Sequence, residues 1–217
     1  MLDIRTGNLI VVRQSRLPAP LIDQTRAIYV ESFPPSQRGD FEDLIAHVMS
    51  QSRWLFTAMV SDTLLGFAVG TALPGSDVHV LEYMAVGSAF RNQGVGAELL
   101  RVVARTVRAA GNVSGILLEV ESDDVGDEDE KRLRKRRIQF YSRNGARLLE
   151  CAPLYRTPNL AGQGFLDMKL MWMPFDETQS ALSGNKLRDC ICKIYSHCYG
   201  RPANDPLVQT TLRHLLS

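Results

Sequence analysis

A turn that carries two glycines leads into an amphipathic helix, and its residue types and spacing could bind an anion. The turn is formed by Arg91, Asn92, Gln93, Gly94, Val95, Gly96 and Ala97. The first amides of any helix have no acceptor within the helix, and the positive end of the helix dipole adds to them. Glycine at positions 94 and 96 puts no side chain in front of these amides, and Arg91 adds a positive charge beside them. The pattern predicts a site for the diphosphate of a nucleotide.

Two common phosphate-binding motifs fit these residues poorly. A P-loop has lysine and then serine or threonine after its last glycine, where this chain has Ala97 and Glu98. The dinucleotide-binding fingerprint has a third glycine where this chain has Leu99. Neither motif therefore accounts for the turn.

The turn resembles the acyl-CoA-binding motif of the GNAT superfamily of N-acetyltransferases, which reads Arg/Gln-x-x-Gly-x-Gly/Ala. Arg91, Gly94 and Gly96 match that motif after a predicted strand. The resemblance continues at Phe140–Tyr141 and Gly145–Ala146, which are similar to the second signature of the family. Two motifs in the order of the family are more specific than either one alone. The resemblance covers roughly residues 8–175 and implies that acetyl-CoA is the donor.

The predicted elements are those of an α/β (α+β) protein with the GNAT fold. Apolar runs at 54–60 and 64–73 predict an antiparallel hairpin. A strand near 80–86, a helix and a strand at 114–121 form a crossover, which makes these two strands parallel. The resemblance implies a mixed, mostly antiparallel central sheet flanked by helices, in which this parallel pair splays apart. It also implies that pantetheine binds the backbone of Met84, Ala85 and Val86.

The resemblance ends near residue 175, which predicts a GNAT domain over 1–175 and a C-terminal helical extension over 176–217. Helical patterns at 185–199 and 205–216 give this extension two short helices with apolar faces. We expect it to dock on the domain or on a second subunit, which would allow a homodimer.

Acetyl transfer to an amine requires a base, because an alkylamine is only about 0.04% neutral at pH 7. Glu82 lies on the central predicted strand, where some GNAT enzymes carry a glutamate base. The alternative is that Glu82 forms an ion pair with an arginine. Glu119 and Glu121 share one face of the neighbouring strand and are alternative bases or ligands of the amine.

Tyr141 matches the tyrosine that protonates the leaving thiolate in the GNAT family, and the alternative is a core aromatic residue on a helix. The chain departs from the family near this residue. The family usually has asparagine at the end of the second strand and a small residue three positions before the Phe/Leu of the second signature. These places correspond here to Glu121 or Ser122 and to Arg137.

Apolar residues at helical spacing predict a helix over 21–33, which the Pro34–Pro35 pair ends. The resemblance implies that this region forms one wall of the acceptor cleft. Tyr29, Glu31 and Arg38 lie in or beside this segment and are candidate substrate contacts. The alternative is that they are ordinary solvated loop residues.

Composition excludes several classes of partner. The chain has 217 residues and a net charge of +1, which gives no overall attraction to nucleic acid or to acidic membranes. No apolar run approaches the length of a membrane span, and the N-terminal segment is too polar for a signal peptide. We therefore expect a cytoplasmic protein that binds neither nucleic acid nor a membrane.

Two other features have chemical and structural interpretations. The run at 122–137 is first acidic and then basic; the acids could attract a cationic amine, or the run could be the solvated start of a helix. The chain has four cysteines, of which Cys190, Cys192 and Cys198 lie close together near His197. Their spacing matches zinc patterns poorly and places two of them on an apolar helical stripe, so no metal is expected.

The sequence therefore predicts an acyl-CoA N-acyltransferase that moves an acetyl group from acetyl-CoA to a primary amine by direct attack in a ternary complex. A small-molecule amine is the expected acceptor, and a peptide or protein amine is the other candidate. The alternative function is a GNAT module that binds acyl-CoA without turnover, as a sensor or a partner-binding protein.

Overall fold

The computed structural model describes residues 8–176, 181–182 and 184–215. These residues form two compact units. Unit 1 comprises the described residues up to Thr71, together with 81–109 and 160–162, and unit 2 comprises 72–80, 110–159 and the described residues from 163 onward.

Unit 1 contains the first strands and helices. Along the chain these are β1 (Ile10–Gln14), α1 (Ala19–Ser32), α2 (Phe41–Met49), β2 (Trp54–Val60), β3 (Thr63–Ala72), β4 (Val78–Val86), a short 3-10 helix (Ser88–Phe90) and α3 (Val95–Ala109). The strand order is β1-β2-β3-β4, and the last residue of β3 and the first three of β4 belong to unit 2. The predicted hairpin is present as the antiparallel pair β2 and β3, in which Trp54 lies opposite Gly70.

The core of unit 1 lies under α1 and α2. Apolar residues at helical spacing on both helices pack against strand residues such as Phe67 and Val69, both fully buried. The start of α2 is fixed by Asp40, whose carboxylate accepts the N–H groups of Glu42 at 2.8 Å and Asp43 at 3.1 Å. This N-cap satisfies two of the first N–H groups of α2, which otherwise have no acceptor within the helix.

Unit 2 contains the later strands and the C-terminal helices. These are β5 (Gly115–Glu121), α4 (Glu128–Arg143), β6 (Arg147–Leu148), β7 (Arg156–Pro158), β8 (Phe165–Pro174), α5 (Gly184–Tyr199) and α6 (Pro206–Arg213). The order is β4-β5-β8-β6, with β7 paired to β8. β4 and β5 are the parallel pair, so the predicted mixed, mostly antiparallel sheet flanked by helices is confirmed.

The predicted C-terminal helices are present as α5 and α6, and Leu216 lies outside the described residues. Their apolar faces join the core of unit 2, where Ile191, Ile194 and Val208 pack with Leu117 and Trp172. The extension therefore docks on its own chain. The division of the chain at residue 175 stays a prediction. None of the helices in the described ranges has the length and apolar character needed to span a membrane.

Candidate active site

The turn before α3 is open in front of its backbone. Gly94 has a φ of +84° and Asn92 a φ of +60°, so both residues lie in the left-handed region. A Cβ added at Gly94 would meet no other atom within 4 Å. The left-handed backbone favours glycine at position 94, and no neighbouring atom would crowd a side chain there.

The amides at the start of α3 are the donors that this turn presents. Glu98 N–H donates to Gly94 O at 3.1 Å, which is the first hydrogen bond of helical type. The N–H groups of Val95, Gly96 and Ala97 precede it, and the first amides of a helix lie at the positive end of its dipole. Open space, amide donors and a helix N-terminus fit a diphosphate.

Arg91 contributes a positive charge to the same region. Its Nε donates to Val86 O at 3.0 Å, and a terminal nitrogen lies 4.0 Å from the Glu31 carboxylate. Glu31 also accepts the N–H of Ser88 at 3.3 Å. Glu31 therefore lies beside the turn, and the carbonyl of Val86 accepts a hydrogen bond from Arg91. That Glu31 binds the substrate stays a prediction. That the backbone of Met84, Ala85 and Val86 binds pantetheine also stays a prediction.

Glu82 forms an ion pair with Arg53. The Nε of Arg53 lies 2.8 Å and 2.9 Å from the two carboxylate oxygens, and the side chains are only 10% and 8% exposed. The ion pair that was the alternative interpretation of Glu82 is thus present in the structure. The role of Glu82 as base stays a prediction.

Tyr29 is 1% exposed and lies in an aromatic cluster with Phe33, Phe41 and Tyr83. Its hydroxyl donates to Gly39 O at 3.2 Å, and Gly39 N–H donates to the Tyr83 hydroxyl at 3.3 Å. Burial, together with the neighbouring Tyr83, raises the pKa of Tyr29 far above its ordinary value. In this structure Tyr29 holds the segment between α1 and α2, and its contact with substrate stays a prediction.

Arg38 holds the other end of the same segment. Its Nη1 donates to Val30 O at 2.9 Å and to Phe33 O at 2.6 Å, near the C-terminus of α1. These carbonyls have no N–H donor inside the helix, so the guanidinium closes the end of α1. The predicted substrate contact of Arg38 is likewise untested.

Tyr141 lies in the last turn of α4 and is 8% exposed. Burial raises the pKa of the phenol, and the charge of Arg137 one helical turn earlier opposes that shift. Within the described residues, no hydrogen-bond partner is assigned to its hydroxyl. A buried, protonated phenol of this kind can act as a proton donor, as the match to the second signature implies.

The two residues that depart from the family pattern near Tyr141, Glu121 and Arg137, form an ion pair with each other. Arg137 Nη1 donates to the Glu121 carboxylate, and Arg134 Nε lies 3.4 Å from its other oxygen. Glu121 is thus held by two guanidinium groups in unit 2. Sequence alone showed two unexpected residues at separate places, but not that they would form an ion pair.

Glu119 has partners that the sequence analysis missed. One carboxylate oxygen accepts a hydrogen bond from Tyr155, and the other accepts one from Tyr199 at 2.9 Å. Neither tyrosine belongs to a family motif. The helical pattern of α5 signals that Tyr195 and Tyr199 share a face, but not that this face reaches β5.

No group of three or more histidine, cysteine or acidic residues that could hold a metal occurs in the part of the chain that the structure describes. Cys190 is fully buried in the core of unit 2, and burial raises the pKa of its thiol. A buried thiol of raised pKa behaves as a small apolar side chain.

Comparison with known proteins identifies the family and the fold. Residues 21–128 match the model of the acetyltransferase (GNAT) family. No curated protein matches the chain in sequence. A solved GNAT-family acetyltransferase from Bacteroides thetaiotaomicron is 24% identical and has a TM-score of 0.66, over 88% of this chain and 99% of that one.

Two further solved structures have named substrates or ligands. An aminoglycoside 6'-N-acetyltransferase complexed with coenzyme A is 20% identical, with a TM-score of 0.58 over 76% of this chain and 96% of that one. The ribosomal-protein-S18-alanine N-acetyltransferase of Escherichia coli is 17% identical, with a TM-score of 0.53 over 81% of this chain and 97% of that one. Likeness at this level of identity shows the fold.

Proposed function

Because the chain belongs to the GNAT acetyltransferase family and is an acyl-CoA N-acyltransferase, we propose that it transfers an acetyl group from acetyl-CoA to a primary amine. The observation that carries the proposal is the turn before α3, where Gly94 leaves open space in front of the first amides of the helix. One structural relative was crystallised with coenzyme A, which supports an acyl-CoA as the donor.

The donor would be held through its diphosphate. The N–H groups of Val95, Gly96 and Ala97 supply hydrogen bonds, and Arg91 supplies a nearby positive charge. Asn92 and Gln93 lie exposed in the same turn, where they can line the outer side of the ligand. The backbone of β4 near Met84 to Val86 would bind the pantetheine arm.

The chemical step is direct attack in a ternary complex. The amine nitrogen bonds to the thioester carbonyl carbon, the C–S bond breaks, and the amine loses one proton while the leaving thiolate gains one. Tyr141 would donate the proton to sulfur, since its raised pKa keeps the phenol protonated at neutral pH. A general acid of this kind contributes roughly 100-fold or more to turnover.

The acceptor amine must lose its proton before it attacks, and the three candidate carboxylates are Glu82, Glu119 and Glu121. Glu82, which forms an ion pair with Arg53, is our candidate for the base, because its position on β4 resembles that of the glutamate base of some GNAT enzymes. Glu119, Glu121 or a chain of water molecules is the alternative proton acceptor. If Glu82 is the base, the loss of activity in Glu82→Gln should be largest near neutral pH. The activity should recover as the pH approaches the pKa of the amine, because the neutral amine then becomes abundant without a base.

A small-molecule amine is the proposed acceptor. Relatives of the same fold act on an aminoglycoside and on a ribosomal protein, so both chemical classes belong in the test. We would follow thiol release from acetyl-CoA with kanamycin, spermidine and an alanine-terminated peptide as probes. Release with one of the two small amines, but not with the peptide, is the expected result.

The rival function is a module that binds acyl-CoA without turnover. Comparison of the parent protein with Tyr141→Phe distinguishes the enzyme from the binding module. If the protein is an enzyme, the variant should keep its affinity for acetyl-CoA while its turnover falls by roughly 100-fold. Tight binding of acetyl-CoA by the parent without thiol release from any probe would favour the module. Full activity of Tyr141→Phe would reject the acid assignment.

A further inference from the structure

The C-terminal end of α1 contacts the segment that leads into the turn before α3. Glu31 lies in the last turn of α1, and one of its carboxylate oxygens accepts the N–H of Ser88 at 3.3 Å. The same oxygen lies 4.0 Å from Nη2 of Arg91, which is also 3.5 Å from Ser32 Oγ. All of these residues belong to unit 1. Both Glu31 and Ser32 therefore meet the guanidinium that precedes Gly94.

Contacts with α1 and with β4 together orient the guanidinium of Arg91. Its Nε donates to Val86 O at 3.0 Å, and its Nη2 faces the end of α1. A guanidinium is planar, so contacts at Nε and at Nη2 set the direction of the whole group. Among the residues that the structure describes, none accepts a hydrogen bond from Nη1. The N–H donors of Nη1 therefore stay available for an oxygen of a phosphate group.

The helix α1 does not need Glu31 for its own stability. A carboxylate in the last turn of a helix lies at the negative end of the helix dipole, where its charge is unfavourable. The end of α1 is already closed by Arg38, which donates to Val30 O and Phe33 O. The side chain of Glu31 is 40% exposed and adds little to the core. Its contacts with Ser88 and Arg91 are therefore directed at the segment before the turn.

We propose that Glu31 is a positioning residue for the donor, and that it holds Arg91 in the orientation in which the guanidinium meets the diphosphate of acetyl-CoA. The inference rests on the proposed function. An exposed arginine that is already held in place loses less conformational freedom when the ligand arrives, so binding is tighter. This gives Glu31 a part in binding the donor, whereas the sequence analysis made it a candidate contact of the acceptor.

The negative charge of Glu31 also acts on a diphosphate, by repulsion, and the test must separate this effect from positioning. Glu31→Gln removes the charge but keeps a side-chain oxygen that can accept from Ser88 and from Arg91. Glu31→Ala removes both the charge and the oxygen. The ratio of the acetyl-CoA affinities of these two variants therefore measures positioning alone, and Glu31→Gln is the matched control.

The assay is titration calorimetry of the full chain with acetyl-CoA. Glu31→Ala should bind acetyl-CoA about two- to tenfold more weakly than Glu31→Gln, which is the usual cost of ordering one long side chain on binding. When Arg91→Met is added to each variant, the two affinities should become equal, because the guanidinium that Glu31 holds is gone. Glu42 pairs with Arg26 in the same unit, so Glu42→Ala tests whether loss of any exposed acidic side chain has this effect, and it should bind as the parent does.

Each outcome decides the inference. Weaker binding by Glu31→Ala than by Glu31→Gln, with a difference that disappears when Arg91→Met is added, supports it. Equal affinities of the two Glu31 variants overturn it and leave the proposed function intact. A difference that persists in full without the guanidinium also overturns it, because Glu31 would then not act through Arg91. A parent protein that binds no acetyl-CoA overturns the proposed function, and the inference falls with it.

Discussion

A glutamate at position 94 should abolish acetyl-CoA binding and leave the fold intact. Gly94 has a φ of +84°, and a Cβ there would meet no protein atom within 4 Å. The only cost to the folded protein is the left-handed backbone, about 1–2 kcal/mol for a residue with a side chain. The new side chain therefore occupies the space in front of the amides of Val95 and Gly96 without displacing any protein atom.

The expected loss of affinity combines two effects. A carboxylate about 5 Å from a diphosphate charge costs about 1–3 kcal/mol for an effective dielectric constant between about 80 and 20. The side chain also keeps the diphosphate away from the amides, and each lost hydrogen bond to a charged group costs about 1.5–3 kcal/mol. A total of at least about 3 kcal/mol corresponds to weakening of the acetyl-CoA affinity by about 100-fold or more.

The assay is titration calorimetry with acetyl-CoA, and Gly111→Glu is the control. Gly111 follows α3, has a φ of +91° and is as open to a Cβ as Gly94 is. Both glutamate variants should lose the same 1–2 kcal/mol or so of unfolding free energy in urea, but only the one at position 94 should lose affinity. Gly94→Gln separates bulk from charge, and the difference between Gln and Glu should shrink as salt is added.

A folded Gly94→Glu variant with the affinity of the parent would exclude a diphosphate site at this turn. Equal loss of affinity in Gly94→Glu and Gly111→Glu would also refute it, because the effect would then come from the fold and not from the turn.

Three other predictions concern acid–base chemistry and stability. Arg53→Met should lower the unfolding free energy in urea by about 3–5 kcal/mol, because it leaves the Glu82 carboxylate buried without this guanidinium; a loss below about 1 kcal/mol would mean that the pair behaves like an exposed one. Burial raises the pKa of Tyr141, so the phenol stays protonated as the pH rises, and turnover should not fall until above about pH 10. If turnover falls near pH 8 in both the parent and Tyr141→Phe, that fall comes from another group. Asp205 caps α6 by accepting Leu207 N–H at 2.8 Å, so Asp205→Ala should lower the unfolding free energy by about 1 kcal/mol and Asp205→Asn should retain most of it.

Local pattern in the sequence determined most of the elements and the candidate donor site. The turn at 91–97 and the helix after it depend on residues that are neighbours along the chain, so the glycines and the helical period were enough to predict them. The hairpin of β2 and β3 and the parallel pair of β4 and β5 followed from short-range patterns and from the crossover rule. Family resemblance then supplied the roles proposed for Glu82 and Tyr141.

Only the tertiary structure decided which groups the charged residues contact. Glu82 meets Arg53 from 29 residues away, and Glu119 meets Tyr199 from 80 residues away. Such partners depend on strand register and on which helix face enters the core, and neither is encoded by spacing along one segment. A buried carboxylate must find a donor or a cation, but the sequence does not say which of many candidates the packing will bring to it. The choice among the three carboxylates therefore rests on contacts made by the folded chain.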